Sequence, residues 1–141
     1  IAMNVVIKNN YSTGFLTRIV QDKCEEALEK YHRDTLAEVR RKAPFKTGRL
    51  SNSFDGVLNK AKLESQVGSD LKYAPYSEFG TINEFDQGYS SSMGVSQYAY
   101  SFKVGTKATG GTPARKYFFS SIRKNFLLML EDLKNRLNDS K

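Results

Sequence analysis

The sequence predicts an α+β fold, with two long helices packed on a small, twisted, antiparallel-rich β-sheet and long flexible loops between the elements. Three observations predict it. Apolar or small side chains recur at three-and-four spacing in two stretches, first at Val20, Cys24, Ala27, Leu28, Tyr31, Thr35 and Val39, then at Phe118, Ile122, Phe126, Met129, Leu130, Leu133 and Leu137. That is the period of a helix with one buried face. Between them the period drops to two over 54–59 and 61–67, as a half-buried strand requires. At 141 residues, 39% hydrophobic and 26% charged, the chain has material for one cored domain and too little for two, so 1–141 reads as a single domain. Ile1 and Ala2, ahead of Met3, read as an expression remnant and carry no argument.

In chain order, Val5-Val6-Ile7 is a short β-prone run, either an edge strand or an N-terminal arm. The first helix covers about 17–42, with acids in its first half and Arg40, Arg41 and Lys42 in its last turn. The helix dipole accounts for those three cations as well as a partner-binding role does. In Ala43-Pro44-Phe45-Lys46-Thr47-Gly48-Arg49-Leu50 the pattern changes. Pro44 disfavours the α region at Ala43, and Gly48 permits a positive φ, so the helix stops and the chain turns. Leu50 and Phe54 then fit one helical turn capped by Thr47. The two strands form a hairpin turning near Asn59-Lys60, and Gly68-Ser69-Asp70 ends the second.

Pro75 at a first helical position and Gly80 just past the end frame a short helix holding Tyr76, Glu78 and Phe79. Glu78 is a carboxylate between aromatics. The commoner reading makes it an exposed acid near a helix end, and the sharper one a structural ion pair with Arg49 or Arg115. Serine-rich 82–97 reads as a mobile surface loop. Tyr98, Tyr100, Phe102 and Val104 alternate with Ala99, Ser101 and Lys103, which is the clearest strand pattern in the chain. The stretch 105–112, with Gly110-Gly111, is a second flexible connection before the last helix.

The net charge is +7 and unevenly placed. There are six cations and one acid (Asp55) over 41–62, and six cations with no acid over 87–130. Such runs suit an acidic partner such as nucleic acid, or are simply solvated. The sequence leaves open whether they share a face. One cysteine, Cys24, excludes an internal disulfide, so a cytoplasmic site of folding is the default. No signal peptide precedes the first helix, and no apolar run reaches membrane-spanning length. One histidine, His32, and one cysteine make no zinc site. Neither a Walker loop nor a dinucleotide fingerprint occurs. Ser121-Ile122-Arg123-Lys124 and Lys46-Thr47-Gly48 match two motifs of penicillin-binding enzymes, but in the wrong order and without the third. The expectation is a protein that is not an enzyme and has no cofactor and no metal.

Three phrases in order carry a resemblance. They are the octapeptide 43–50 with Ser53, then Tyr73-Ala74-Pro75-Tyr76-Ser77-Glu78-Phe79-Gly80-Thr81, then Ala114-Arg115-Lys116-Tyr117-Phe118 opening the last helix. Over roughly 17–137 the chain resembles the tail-completion, or head-tail joining, family of long-tailed bacteriophages, the minor tail components known as gene-ten-type neck proteins. The resemblance implies an α+β fold without enzymatic activity and a homo-oligomeric ring, a hexamer by family likeness. It also implies a virion location at the head-tail neck, between the connector or head-closure protein and the tail tube protein, with assembly in the host cytoplasm and no membrane.

Pro44, Thr47, Gly48, Arg49, Leu50, Glu78, Phe79, Gly80 and Arg115 then form the structural motif. Within it the octapeptide reads as a hinge anchored by Phe45 and Leu50. The loops 82–97 and 105–112 are the expected latches of the ring. Lys46, Lys103, Lys107, Lys116, Arg123 and Lys124 are the residues expected to face passing DNA.

Two departures stand. The family often has Arg-Pro-Phe where this chain has Arg115-Lys116-Tyr117, and 82–111 is longer than the family commonly needs. The alternative reading is a stand-alone basic nucleic-acid-binding domain, with Lys103, Lys107, Arg115, Lys116, Arg123 and Lys124 on phosphates and Tyr98, Tyr100 or Phe102 stacked on bases.

Overall fold

The computed structural model describes residues 3–9, 17–43, 48–80, 85–102 and 113–138. In chain order these form β1 (Met3–Lys8), α1 (Arg18–Lys42), α2 (Arg49–Ser53), β2 (Phe54–Asn59), β3 (Glu64–Ser69), α3 (Ala74–Phe79), α4 (Gln87–Ser92), α5 (Ser96–Tyr100) and α6 (Phe119–Asn138). The fold is α+β, with six helices and one three-stranded antiparallel sheet among the described residues. None of the described helices is long and apolar enough to cross a membrane.

Helix α1 runs for 25 residues and starts where Thr17 Oγ1 accepts the Val20 N–H at 3.3 Å. It stops at Ala43, where ψ reaches 138° and the Ala43 N–H closes on the Val39 carbonyl at 2.9 Å. Its inward face is Ala27, Leu28, Tyr31, Thr35 and Val39, with Glu38 buried beside them. The expected single turn is α2, but the residue at its N-cap is Gly48, at φ 77° and without a side-chain cap. Thr47, the cap expected from sequence, lies outside the described residues with Pro44, Phe45 and Lys46.

The sheet order is β1-β3-β2, so Val5-Val6-Ile7 belongs to an edge strand rather than an arm. Register gives three inward rows, Met3·Ser69·Phe54, Val5·Val67·Gly56 and Ile7·Ser65·Leu58. β3 contributes serines to two of these rows, and both hydroxyls are bonded. His32 Nδ1 on α1 lies 2.7 Å from Ser65 Oγ, and Ser53 Oγ lies 2.6 Å from Ser69 Oγ. Gly68 sits inside β3 rather than ending it. A Cβ there would come within 2.4 Å of the Met3 carbonyl oxygen, so the residue serves close backbone approach.

Two sequence expectations fail between 82 and 102. The expected loop 82–97 contains α4 and the start of α5, and the expected strand through Tyr98 and Tyr100 is helix α5. Asp86 caps α4 by accepting the Tyr89 N–H at 2.9 Å. Ser90 and Ser92 turn their hydroxyls back onto the carbonyls of Gln87 and Tyr89, each at 2.9 Å. Tyr98 and Phe102 are four apart as well as on the same side of an alternating pattern, and their rings meet edge-on at 5.1 Å. Alternation of this length does not distinguish period two from the i,i+4 spacing of a helix, and the burial of Ala99 favours the helix. Lys103, Val104 and 105–112, including Lys107, lie outside the described residues.

Helix α6, 20 residues long, packs along α1. One core gathers Met3, Val39, Leu50, Phe54, Val67 and Ala74 with Tyr117, Phe118 and Ile122. A smaller one joins Leu28, Tyr31 and Leu63 with Phe126 and Met129. Leu130, expected within the buried stripe, is exposed instead, as are Leu127 and Leu128.

Candidate functional site

The three phrases of the sequence meet in space. Leu50 comes from the first, Ala74 from the second, and Tyr117 and Phe118 from the third, all buried in one core. Phe54 is the hub between them, edge-on to Tyr117 at 5.7 Å and stacked on Phe118 at 5.5 Å. Beside this core lies Glu78, which is 0% exposed.

An ionised or polar side chain so buried needs partners, and Glu78 has four. Its Oε1 accepts the backbone N–H of Tyr117 at 2.6 Å and of Phe118 at 2.8 Å. Its Oε2 accepts the N–H of Phe119 at 2.7 Å and the hydroxyl of Tyr89. The carboxylate thus fills the role of an N-cap for α6 from 39 residues away, where a local Ser or Asp usually serves. Burial pushes the Glu78 carboxyl above its ordinary value, against the pull of these hydrogen bonds. Burial and the neighbouring Glu78 charge push the Tyr89 and Tyr117 hydroxyls up as well, so both remain donors.

Both sequence readings of Glu78 are therefore corrected. It is not an exposed acid, and backbone amides with a tyrosine hydroxyl do what Arg49 or Arg115 was expected to do. Both arginine side chains are exposed. Arg115 acts through its backbone, donating its N–H to the Ser77 carbonyl at 2.9 Å, and the Lys116 N–H reaches the Glu78 carbonyl at 3.2 Å. The Tyr117 hydroxyl adds a bond to the Ala74 carbonyl at 3.1 Å. Phe79 is buried between Tyr98 at 6.0 Å and Phe119 at 5.6 Å, and Gly80 ends α3 at φ 79°.

Lys116 explains one departure from the family pattern. Its φ is 53°, which a proline ring locked near −65° excludes. Its N–H is also bonded, and proline has none. The entry to α6 therefore takes a path closed to proline at position 116.

The basic positions have structural partners. Lys116 Nζ pairs with Asp86 at 2.8 Å, Arg123 donates to the Ser92 carbonyl at 2.6 Å, and Lys124 Nζ pairs with Glu38 at 2.7 Å. Lys42 at 3.5 Å and Arg41 at 3.8 Å share the same Glu38 oxygen, and Asn125 bonds the other at 2.9 Å. The two basic runs thus converge on one carboxylate at the α1–α6 seam, leaving three half-exposed or exposed cations around one acid. Burial raises the Glu38 carboxyl, but Lys124, Lys42 and Ser121 more than offset it and hold it below its ordinary value. No trace of this convergence is legible in sequence, because Glu38 and Lys124 are 86 residues apart. Lys46, Lys103 and Lys107 lie outside the described residues.

Fold and site together define a small α+β module organised around a buried structural carboxylate. A model of the HK97-gp10-like family, described as "Bacteriophage HK97-gp10, putative tail-component", matches residues 11–80, about half of the chain. Over that segment the chain belongs to the HK97-gp10-like family, whose description is of a phage tail component and hence of a structural, virion-associated role among other virion proteins. The match includes Gly48, Leu50 and Glu78 and ends at Gly80, before the amides at the entry to α6 that Glu78 holds. No curated protein and no solved structure matches the chain.

Proposed function

We propose that this chain is a non-enzymatic virion protein that completes the tail and joins it to the head, assembled as a homo-oligomeric ring, six-fold by family likeness. In this reading the ring sits at the neck between the connector and the tail tube. The observation that carries it is the family match over 11–80, which covers α1 through α3. The clamp at Glu78 adds a physical reason why such a module is a rigid building block. It ties the entry to α6 to α3 through backbone amides bonded to the Glu78 carboxylate, and to α4 through the Tyr89 hydroxyl on the same carboxylate, so that a load on one element reaches the others.

The convergence of Arg41, Lys42 and Lys124 on Glu38 supports non-specific contact with passing DNA, which would weaken steeply with salt. The stand-alone nucleic-acid-binding reading has less behind it. Its stacking strand is helix α5, and Tyr98 and Phe102 pack on each other and on Phe79 and Tyr76.

The test is electron microscopy of particles from a host in which this gene is disrupted. Full heads and finished tails left unjoined are expected. Normal virions would rule the proposal out.

A further inference from the structure

Among the described residues, the helices cover one face of the sheet and none covers the other. On that bare face the register places Val6, Gln66 and Val57 in one row, with Asp55 in the row on one side and Lys8, Glu64 and Asn59 in the row on the other. Val57 is 66% exposed and Val6 47%. A groove of about 200 Å³ runs beside Asp55, Val57, Gln66 and Asn4, whose buried side-chain oxygen has no hydrogen-bond partner. The face therefore reads acid, apolar, mixed, with Asp55, 4.0 Å from Arg40, on one side of the valines and the opposite charges of Lys8 and Glu64 on the other. Asp55 and Glu64 lie in rows four residues apart along the strands, about 13 Å at the usual rise.

A second unpartnered apolar surface lies on α6. Arg123, Leu127, Leu130 and Lys134 fall within a narrow arc at 100° per residue, turned away from the buried Ile122 and Asn125. All four are exposed, Leu127 by 56% and Leu130 by 46%. This ridge reads cation, apolar, cation, with Glu131 beside Lys134. Arg123 and Lys134 are eleven residues apart, about 17 Å along the axis, a span that two long side chains adjust to the sheet spacing. Arg123 bonds the Ser92 carbonyl through Nη1 and keeps its other donors.

We infer that these two surfaces are halves of one contact, in which the α6 ridge of one copy docks on the bare sheet face of the next. Leu127 and Leu130 cover Val57 and Val6. Arg123 meets Asp55, while Lys134 and Glu131 meet Glu64 and Lys8. Because ridge and sheet face are different surfaces of the same protomer, the contact is head-to-tail, and such contacts generate rings when the rotation closes. The inference rests on the ring proposed above and names its interface.

The test uses the full chain and two surface substitutions, Val57→Lys and Leu127→Asp, with Val6→Lys and Leu130→Asp as replacements if either fails to give the wild-type circular dichroism spectrum. Sedimentation from micromolar to millimolar concentration reads association. Wild type is expected to associate, and each variant alone to associate at least about tenfold more weakly. An equimolar mixture of the two should form a one-to-one dimer and stop, because one partner keeps its ridge and the other its sheet face. Variants that associate like wild type would overturn this interface and leave the ring standing. A mixture that does not pair would overturn the head-to-tail arrangement. A wild-type chain that stays monomeric to millimolar concentration would remove self-driven assembly along with the interface.

Discussion

The molecule holds two glutamates away from solvent in different ways. At the α3–α6 junction Glu78 is held by three backbone amides and one tyrosine hydroxyl. At the α1–α6 seam Glu38 is held by side chains, those of Lys124, Asn125, Lys42 and Arg41. Backbone donors cannot move away without rerouting the chain into α6, whereas a lysine swings into water at little cost. The first arrangement fixes the path of the chain, and the second fastens two helices already placed by their apolar faces.

The largest expected effect comes from Glu78→Ala, which strands three amides and a hydroxyl in the core. Denaturant titration should show a loss of about 3 kcal/mol or more, given the penalty for each unsatisfied buried donor. Glu78→Gln keeps an acceptor and should lose less. A loss under about 1 kcal/mol for the alanine variant would mean that water replaces the carboxylate, and would contradict the clamp.

Lys116→Pro comes next. It demands a φ the site does not have and deletes an N–H bonded to the Glu78 carbonyl, and should cost about 3 kcal/mol. The converse, Lys116→Gly, relieves the left-handed conformation and should gain up to about 1 kcal/mol, less what is lost with the exposed Asp86 pair. Thermal unfolding of the two variants should therefore bracket wild type.

Glu38→Gln breaks the side-chain clamp and should cost only about 1 kcal/mol at neutral pH. Its signature is pH dependence. A carboxyl held below its ordinary value contributes stability that is complete above about pH 4.5 and is lost as pH falls through the folded-state value. The variant should approach wild-type stability in acid. A gap that persists unchanged below that range would show that lost packing, not charge, carries the effect.

The smallest effect is at His32. Burial holds its imidazole below the ordinary value, with Asp55 pulling the other way. Its neutral form bonds Ser65 over Gly56, where an added Cβ would meet the ring at 2.5 Å. The unfolded chain takes up a proton near pH 6.5 before the folded one does, so stability should fall as pH drops below that value and level off beneath the folded-state value. His32→Gln should flatten this part of the curve, a change of under about 1 kcal/mol.

The same contrast explains what the sequence discloses. Helix α1, its end at Ala43, the hairpin and the frame of α3 follow from local rules, namely periodicity, a proline after the last turn, and Pro75 and Gly80 around a short apolar run. Glu78 stands out as a carboxylate among aromatics, but three of its four partners are backbone amides, which every residue carries and no residue type advertises. A long-range cap can be foreseen only as a need for a donor, for which arginine is the obvious candidate. The serines of α4 read as loop because their side chains compete with helix hydrogen bonds, yet here Asp86 and the Tyr89–Glu78 bond supply what local propensity lacks. In α5 the aromatics satisfy two periods at once, and only the burial of Ala99 separates them.

The most direct test of the proposed role is cryo-electron microscopy of the intact virion at a resolution that shows side chains. A ring of this fold between connector and tail tube is expected, with the Glu78 carboxylate seated on the first amides of α6 in every copy. Density for this chain elsewhere in the particle, or none in a particle whose neck is fully assigned, would contradict the account.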